Sequence, residues 1–356
     1  MPSDTILIWG AGAIGGTLGA YWARAGHPVL MVDIVAEHAQ ACSTTGLSIE
    51  GPVEAFSQVV PCVTPDQLRG QFSRVVLAVK AQATEEAVKA LLPHLSEDGV
   101  ILSAQNGLNE RTIAALAGPE RTLGAFVNFG ADWLGPGTVL YGNRGAVVLG
   151  ELDGAVRPRT KEFHDLLSIF EPDAVLATDI WSYLWGKMGY VAMLFATALN
   201  EDSMSANFAN PARNAAFTAT GREVMLTARA EGIQPRGFNG FDPAAFMPDA
   251  SDDAARQCLA ALAAFNAKTA KTHSGIYRDL AVRKRRTEVD QMVSVTAEIA
   301  AGHGIETPVL RRLAGLIRDI EDGRRAMSPQ TFDALNDALK PERLSMTIWH
   351  EKARRP

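Results

Sequence analysis

Short, nearly continuous apolar runs alternate with helical stretches through residues 5–128, the alternation of a parallel sheet covered on both faces. Four runs mark strands: Thr5-Ile6-Leu7-Ile8-Trp9, Val29-Leu30-Met31-Val32, Arg74-Val75-Val76-Leu77-Ala78-Val79 and Val100-Ile101-Leu102-Ser103. Polar or glycine residues follow each run. Gly10, Asp33, Lys80 and Asn106 are therefore expected along one edge of the sheet, where open α/β sheets take their ligands. From Asp179 onward the period becomes helical. Trp181, Leu184, Trp185, Met188, Val191, Ala192 and Phe195 form one stripe, Phe217, Gly221, Val224, Met225 and Ala228 a second, and Val309, Leu310, Leu313, Ile317 and Ile320 a third. Residues 234–253, rich in Pro, Gly and Asp, read as a loop, and residues 340–356 are polar with no sustained period. The pattern predicts an α/β chain: a doubly wound sheet over residues 1–178, an all-helical domain over 179–330, and a C-terminal tail over 331–356.

At 356 residues the chain is long enough for two cores. Its net charge of −6 is mild, and its cations are scattered except at Arg283-Lys284-Arg285-Arg286. That balance gives no reason to expect a nucleic acid or an anionic membrane as partner, and leaves room for a small anionic ligand. Cys42, Cys62 and Cys258 are too few and too far apart for a disulfide framework or a metal cluster, so no metal is expected and a reducing compartment is. Residues 180–199 are strongly apolar, but Lys187 near their middle, with Gly186 and Gly189, argues for a buried helix over a membrane span. Asp4 precedes a first apolar run that ends in glycines, unlike a secretory signal, and a cytoplasmic protein is the expectation.

The first strand runs directly into Gly10-Ala11-Gly12-Ala13-Ile14-Gly15 and an Ala-rich helix. This is G-x-G-x-x-G in the context that gives the motif meaning: Gly10 for the tight turn, Gly12 for close approach of a pyrophosphate, Gly15 for helix-to-strand packing. The reading is a Rossmann-type domain. Asp33 closes the second strand at roughly the 20-residue distance of a carboxylate that binds the adenosine ribose hydroxyls. A 2′-phosphate placed there would meet a like charge with no Arg or Lys close by, so NAD is expected in preference to NADP. Lys80 and the Gln105-Asn106-Gly107 step end the next two strands, either as contacts to nicotinamide and substrate or as solvated strand ends.

Lys187 flanks an apolar helical stripe, where a solvated residue is out of place. Desolvation brings a lysine nearer neutrality and so suits it to protonate a carbonyl oxygen as hydride reaches the carbon; the other reading is a lysine that snorkels over apolar surface. Arg286-Thr287-Glu288-Val289-Asp290 begins a helix with the stripe Val289, Met292, Val293, Thr296, Ala300. Glu288 lies on its flank, as a ligand for a substrate hydroxyl or as a first-turn carboxylate serving the helix dipole. Ser274, in Thr272-His273-Ser274-Gly275, is a candidate for a substrate carboxylate, and His273 reads equally as a plain loop residue.

Taken in order, Gly10 to Gly15, Val79-Lys80-Ala81, Gln105-Asn106-Gly107-Leu108, Gly135-Pro136-Gly137 followed by Gly150-Glu151, Trp185-Gly186-Lys187-Met188 and Arg286 to Asp290 resemble the ketopantoate reductase (2-dehydropantoate 2-reductase) family. The resemblance implies a Rossmann domain joined to a helical domain that serves substrate binding and dimerisation. It implies Lys187 as general acid, Glu288 on the substrate hydroxyl, Asn106 and Lys80 along nicotinamide and substrate, and Ser274 near the substrate carboxylate. The chain departs from the family where Val191 and Phe195 replace two asparagines one and two turns after the lysine, and where Ile34 replaces the basic residue that favours NADP. The Ser274 to Glu288 spacing is also slightly stretched. An apolar pocket wall at Val191 and Phe195 predicts a substrate other than ketopantoate.

The expected function is hydride transfer between NAD(P), with NAD preferred, and a small 2-oxo or 2-hydroxy acid, by a homodimer. Two rivals differ in what they require. An opine-type dehydrogenase would need an amine as co-substrate, and a non-enzymatic dinucleotide-sensing regulator would need the glycine turn and Asp33 but not Lys187.

Overall fold

The computed structural model describes residues 4–238, 240–269 and 271–339; the tail expected at 340–356 lies outside them. Contacts divide the chain into two compact units, residues 1–187 and 188–356. The division falls within one long helix rather than at residue 178.

In the first unit the strands are β1 (Ile6–Trp9), β2 (Val29–Val32), β3 (Leu47–Glu50), β4 (Phe56–Gln58), β5 (Cys62–Val63), β6 (Phe72–Leu77), β7 (Leu95–Ser103), β8 (Thr122–Val127), β9 (Gly130–Gly135), β10 (Thr138–Asn143), β11 (Val147–Glu151) and β12 (Val175–Leu176). The helices are α1 (Ala13–Arg24), α2 (Ala36–Thr44), α3 (Thr84–Leu91), α4 (Asn109–Ala117), α5 (Pro158–Phe170) and the start of α6 (Ile180–Thr197). Eight strands form one sheet in the order β12-β11-β8-β7-β6-β1-β2-β5. Its run β5-β2-β1-β6-β7-β8 is parallel throughout, with the strand order reversing between β1 and β6. That is the dinucleotide-binding order, and its switch point puts the ends of β1 and β6 side by side. All four residues of both β1 and β2 are buried, which explains their unbroken apolar runs.

A second sheet, β4-β3-β10-β9, packs on α1. It was not expected, because its strands are short and half exposed, with patterns such as buried-intermediate-buried-exposed along β3. Tyr21 of α1 meets Phe56, Tyr141 and Phe170 edge-on, at ring separations of 5.1, 6.1 and 5.0 Å. Gly150-Glu151 serves this framework: Glu151 is buried, forked to Arg159 at 2.9 and 2.7 Å, and accepts the Thr160 hydroxyl at 2.6 Å.

The second unit holds the rest of α6 and α7 (Met204–Ala209), α8 (Asn214–Ala230), α9 (Asp252–Ala267), α10 (Gly275–Tyr277), α11 (Val295–Gly302), α12 (Pro308–Glu321) and α13 (Pro329–Asp333). The stripes read from the sequence fall on α6, α8 and α12, and the described residues within 234–251 are mostly irregular apart from the short turn Pro243–Phe246. The helix expected from Arg286 begins only near Asp290, and it begins with a π turn (Asp290–Ser294) before α11; another π turn spans Arg278–Val282. Residues 331–339, expected as tail, pack against the unit through Phe332 and Leu335, both fully buried. Two apolar anchors in a short polar stretch make no readable period.

Candidate active site

β1 hands the chain to Gly10 at a φ of 102°, a conformation that side chains rarely allow. A Cβ there would stand 2.9 Å from the backbone of Ala78 and Val79 at the end of β6. At Gly15 it would stand 2.0 Å from the Gly10 carbonyl and 2.9 Å from the Ile8 side chain. Gly12 is the opposite case, since a Cβ there would meet nothing within 4 Å. The turn is thus closed on its protein side and open outward. Gly12 is also the N-cap of α1 and gives no side-chain cap, so the first-turn amides, following on through Ala13 and Ile14, remain available to an anion. Such a cradle fits a dinucleotide pyrophosphate.

Asp33, at the end of β2, accepts the Ala11 amide at 3.0 Å on one oxygen and the Val35 amide at 2.9 Å on the other. The carboxylate braces the glycine turn, and each oxygen keeps a lone pair for a further donor. The next side chain, Ile34, is 83% exposed. His38, which carried no signal in the sequence, supports the same turn from within. Its Nε2 donates to the Ala11 carbonyl at 2.8 Å, while Nδ1 accepts the Gly137 amide at 2.9 Å and the Trp133 indole at 3.3 Å. With Nδ1 occupied as an acceptor, the ring is held as the neutral Nε2–H tautomer. This gives Gly135-Pro136-Gly137 a role: the hairpin between β9 and β10 presents the amide that orients His38.

Lys80 and Asn106 follow β6 and β7 on the same sheet edge. Lys80 is exposed and its carbonyl opens the turn Ala81–Ala83; Asn106 is half-buried. A buried polar network sets the backbone that carries them. Gln105 Nε2 donates to the Val79 carbonyl at 2.9 Å and to the Thr84 hydroxyl at 2.8 Å, Thr84 donates to Asn109 at 3.1 Å, and Asn109 Nδ2 donates to the Asn106 carbonyl at 2.6 Å.

Lys187 is buried, at 8% exposure, as the edge of an apolar stripe requires. Its Nζ donates to the Val127 carbonyl at the end of β8 and lies 5.1 Å from the centre of the Phe126 ring. The carbonyl and the ring face together fix where the ammonium stands. Its field also reaches Glu110, a fully buried residue of α4 that sequence reasoning missed. Burial pushes the Glu110 carboxyl up to about 7, against the opposing pull of its own amide, the Ser103 hydroxyl and Lys187.

The remaining candidates belong to the second unit. Val191 is half-buried and Phe195 fully buried, so the Phe195 ring packs in the core instead of forming an open pocket wall. Ser274, 2% exposed, accepts the Tyr277 amide at 3.1 Å and caps the short α10. His273 packs on Tyr277 with ring centres 4.1 Å apart. Glu288 is buried, next to Thr287, whose amide and hydroxyl bind Glu321 at 2.8 and 2.6 Å. The basic run is matched by acids: Arg283 and Arg285 pair with Asp279 at 3.1 and 2.8 Å, and Arg286 with Asp322 at 2.7 Å. Among the described residues there is no cluster of three or more metal-ligating side chains, and no helix long and apolar enough to cross a membrane.

A dinucleotide cradle at the switch point and a buried lysine at the end of β8 define an NAD(P)-dependent oxidoreductase. Residues 6–154 match the model of ketopantoate reductase PanE/ApbA, and residues 179–321 that of its C-terminal domain. The chain belongs to the ketopantoate reductase family. The 2-dehydropantoate 2-reductase of Archaeoglobus fulgidus is 28% identical over 326 residues, covering 91% of this chain and all of the relative. That of Halobacterium salinarum is 26% identical over 316 residues, covering 88% of this chain and 97% of the relative. Among solved structures, a ternary complex of D-mandelate dehydrogenase with NADH and anilino(oxo)acetate superposes with a TM-score of 0.78 at 22% identity, covering 90% and 99% of the two chains. At that identity the likeness is one of fold.

Proposed function

We propose that the chain interconverts a small 2-oxo acid and its 2-hydroxy acid with NAD(H) in preference to NADP(H), and that Lys187 moves the proton. The amides from Gly10 to Gly15, with Ala11, Ala13 and Ile14 between them, hold the pyrophosphate, and Asp33 takes the adenosine ribose hydroxyls. Lys80 and Asn106 flank nicotinamide and substrate. When bound, the cofactor supplies hydride in reduction and accepts it in oxidation. In reduction Lys187 donates a proton to the carbonyl oxygen; in oxidation it takes one from the hydroxyl. Glu288 holds that hydroxyl and Ser274 lies toward the substrate carboxylate.

The observation that carries the reading is the buried ammonium of Lys187, aimed by the Val127 carbonyl and the Phe126 ring. Its test is Lys187→Ala, which should lower kcat on the order of 10²-fold with dinucleotide affinity nearly unchanged. A folded variant with kcat near wild type would leave Lys187 as a lysine that merely covers apolar surface. For the cofactor, Asp33 beside exposed, uncharged Ile34 supports NAD. The NADH complex of the structurally similar D-mandelate dehydrogenase is compatible with that choice.

For the substrate, Val191 in place of a polar residue supports a 2-oxo acid more apolar than ketopantoate. A panel containing ketopantoate and phenylglyoxylate, followed through NADH consumption, tests it. The domain boundary proposed from the pattern lies between residues 178 and 179, with a homodimer as the working unit, to be measured by light scattering. Three buried free cysteines suit a reducing cytoplasm.

A further inference from the structure

Glu110 is the second residue of α4, a position where a glutamate ordinarily stands in water beside the helix N-terminus. Here it has no solvent exposure. Its Cγ lies 3.4 Å from the point where a Cβ on Gly124 would stand, and Ile180 of α6 lies 3.0 Å from that same point. The missing side chain at Gly124 thus makes the berth that Glu110 and Ile180 share. Neither carboxyl oxygen completes a hydrogen bond, and the Ser103 hydroxyl that faces it from β7 completes none either. Besides its own amide, the groups that act on the carboxyl are Ser103 from β7, Lys187 from α6 and the Ala125 backbone from β8. Lys187 sits two turns along α6 from Ile180, and its anchor, Val127, sits three residues along β8 from Gly124. One strand and one helix therefore carry both the berth of the carboxyl and the mooring of the ammonium.

An unpaired carboxyl in such a place costs stability and returns no packing. We propose that Glu110 is a positioning residue for Lys187, whose carboxylate, once ionised, holds the lysine in its ammonium form so that proton donation persists into alkaline solution. The inference rests on the reading of Lys187 as general acid. Coupling between two titrating groups is mutual: Lys187 favours the ionised form of Glu110, so ionised Glu110 favours the ammonium of Lys187 by the same free energy. Because burial raises Glu110 to about 7, its charge switches on across neutral pH and supports the lysine above it.

The test is kcat against pH, in the direction of 2-oxo acid reduction by NADH, for wild type, Glu110→Gln, Glu110→Asp and Lys187→Ala. Ketopantoate and phenylglyoxylate serve as substrates, the faster of the two being used. Reduction needs the ammonium, so kcat falls as pH rises through the titration of Lys187. In Glu110→Gln that falling limb should move about one pH unit toward acid, which reads as roughly tenfold lower kcat at a pH above both limbs. Glu110→Asp, with its carboxylate a methylene further back, should shift the limb in the same direction by less, and it carries the test alone if Glu110→Gln does not fold. A uniform drop in kcat at every pH with the limb in place would overturn the proposal, because a structural defect behaves in that way. An unmoved limb beside a dead Lys187→Ala would remove the role of Glu110 alone, whereas an active Lys187→Ala would remove the general acid on which it rests.

Discussion

If Glu110 is kept for its charge, the folded protein carries a cost that Glu110→Gln should relieve. Burial raises the carboxyl from 4.5 to about 7. An unfolded chain releases this proton near 4.5 while the folded chain holds it until about 7, so stability declines as pH rises between the two and the whole cost is present above them. At about 1.4 kcal/mol per pH unit, the cost comes to roughly 3–4 kcal/mol. Gln cannot ionise and occupies nearly the same volume, so the variant should match wild type in stability near pH 4 and exceed it progressively up to about pH 8. Urea unfolding followed by tryptophan fluorescence across that range reads the difference directly, and the midpoint of thermal unfolding should rise by about 6 °C at the alkaline end. Stability curves that run parallel from acid to alkaline pH would refute the reasoning, as would a variant less stable than wild type at about pH 8. Together with the shifted activity limb, the expected result is a protein made more stable and less active by one change, the trade that a charged group buried for function produces.

Two further outcomes test the cofactor edge. Gly15→Ala would press a methyl to 2.0 Å from the Gly10 carbonyl; it should cost about 1–3 kcal/mol in thermal or denaturant unfolding and weaken NADH binding at least tenfold, whereas unchanged stability and affinity would show that the turn gives way freely. Asp33→Asn keeps one acceptor for the Ala11 or Val35 amide but loses the charge, so the ratio of kcat/KM for NADH over NADPH should fall by about tenfold or more. A wild type that prefers NADPH would assign the 2′-phosphate to a cation elsewhere.

What the chain's local pattern determined is the Rossmann core and its cofactor edge. Strands buried on both faces are written as unbroken apolar runs, and a turn that admits no side chain is written as glycine, so Gly10, Gly15 and Asp33 were legible one residue at a time. Lys187 was legible for the same kind of reason: a charge on an apolar helical stripe is a conflict visible without a partner. The tertiary structure alone decided whatever depends on residues distant in the chain. The second sheet escaped notice because its half-exposed strands gain their burial from α1. His38 is an ordinary helical histidine until the Ala11 carbonyl and the Gly137 amide, 27 and 99 positions away, are set against its two nitrogens. Phe195 enters the pocket only through the family resemblance, and its complete burial sets the ring in the core, as its place in the apolar stripe implies. Glu110 reads as a helix-dipole carboxylate until Gly124 and Ile180 are seen to make room for it, since burial is a property of the surroundings and not of the residue.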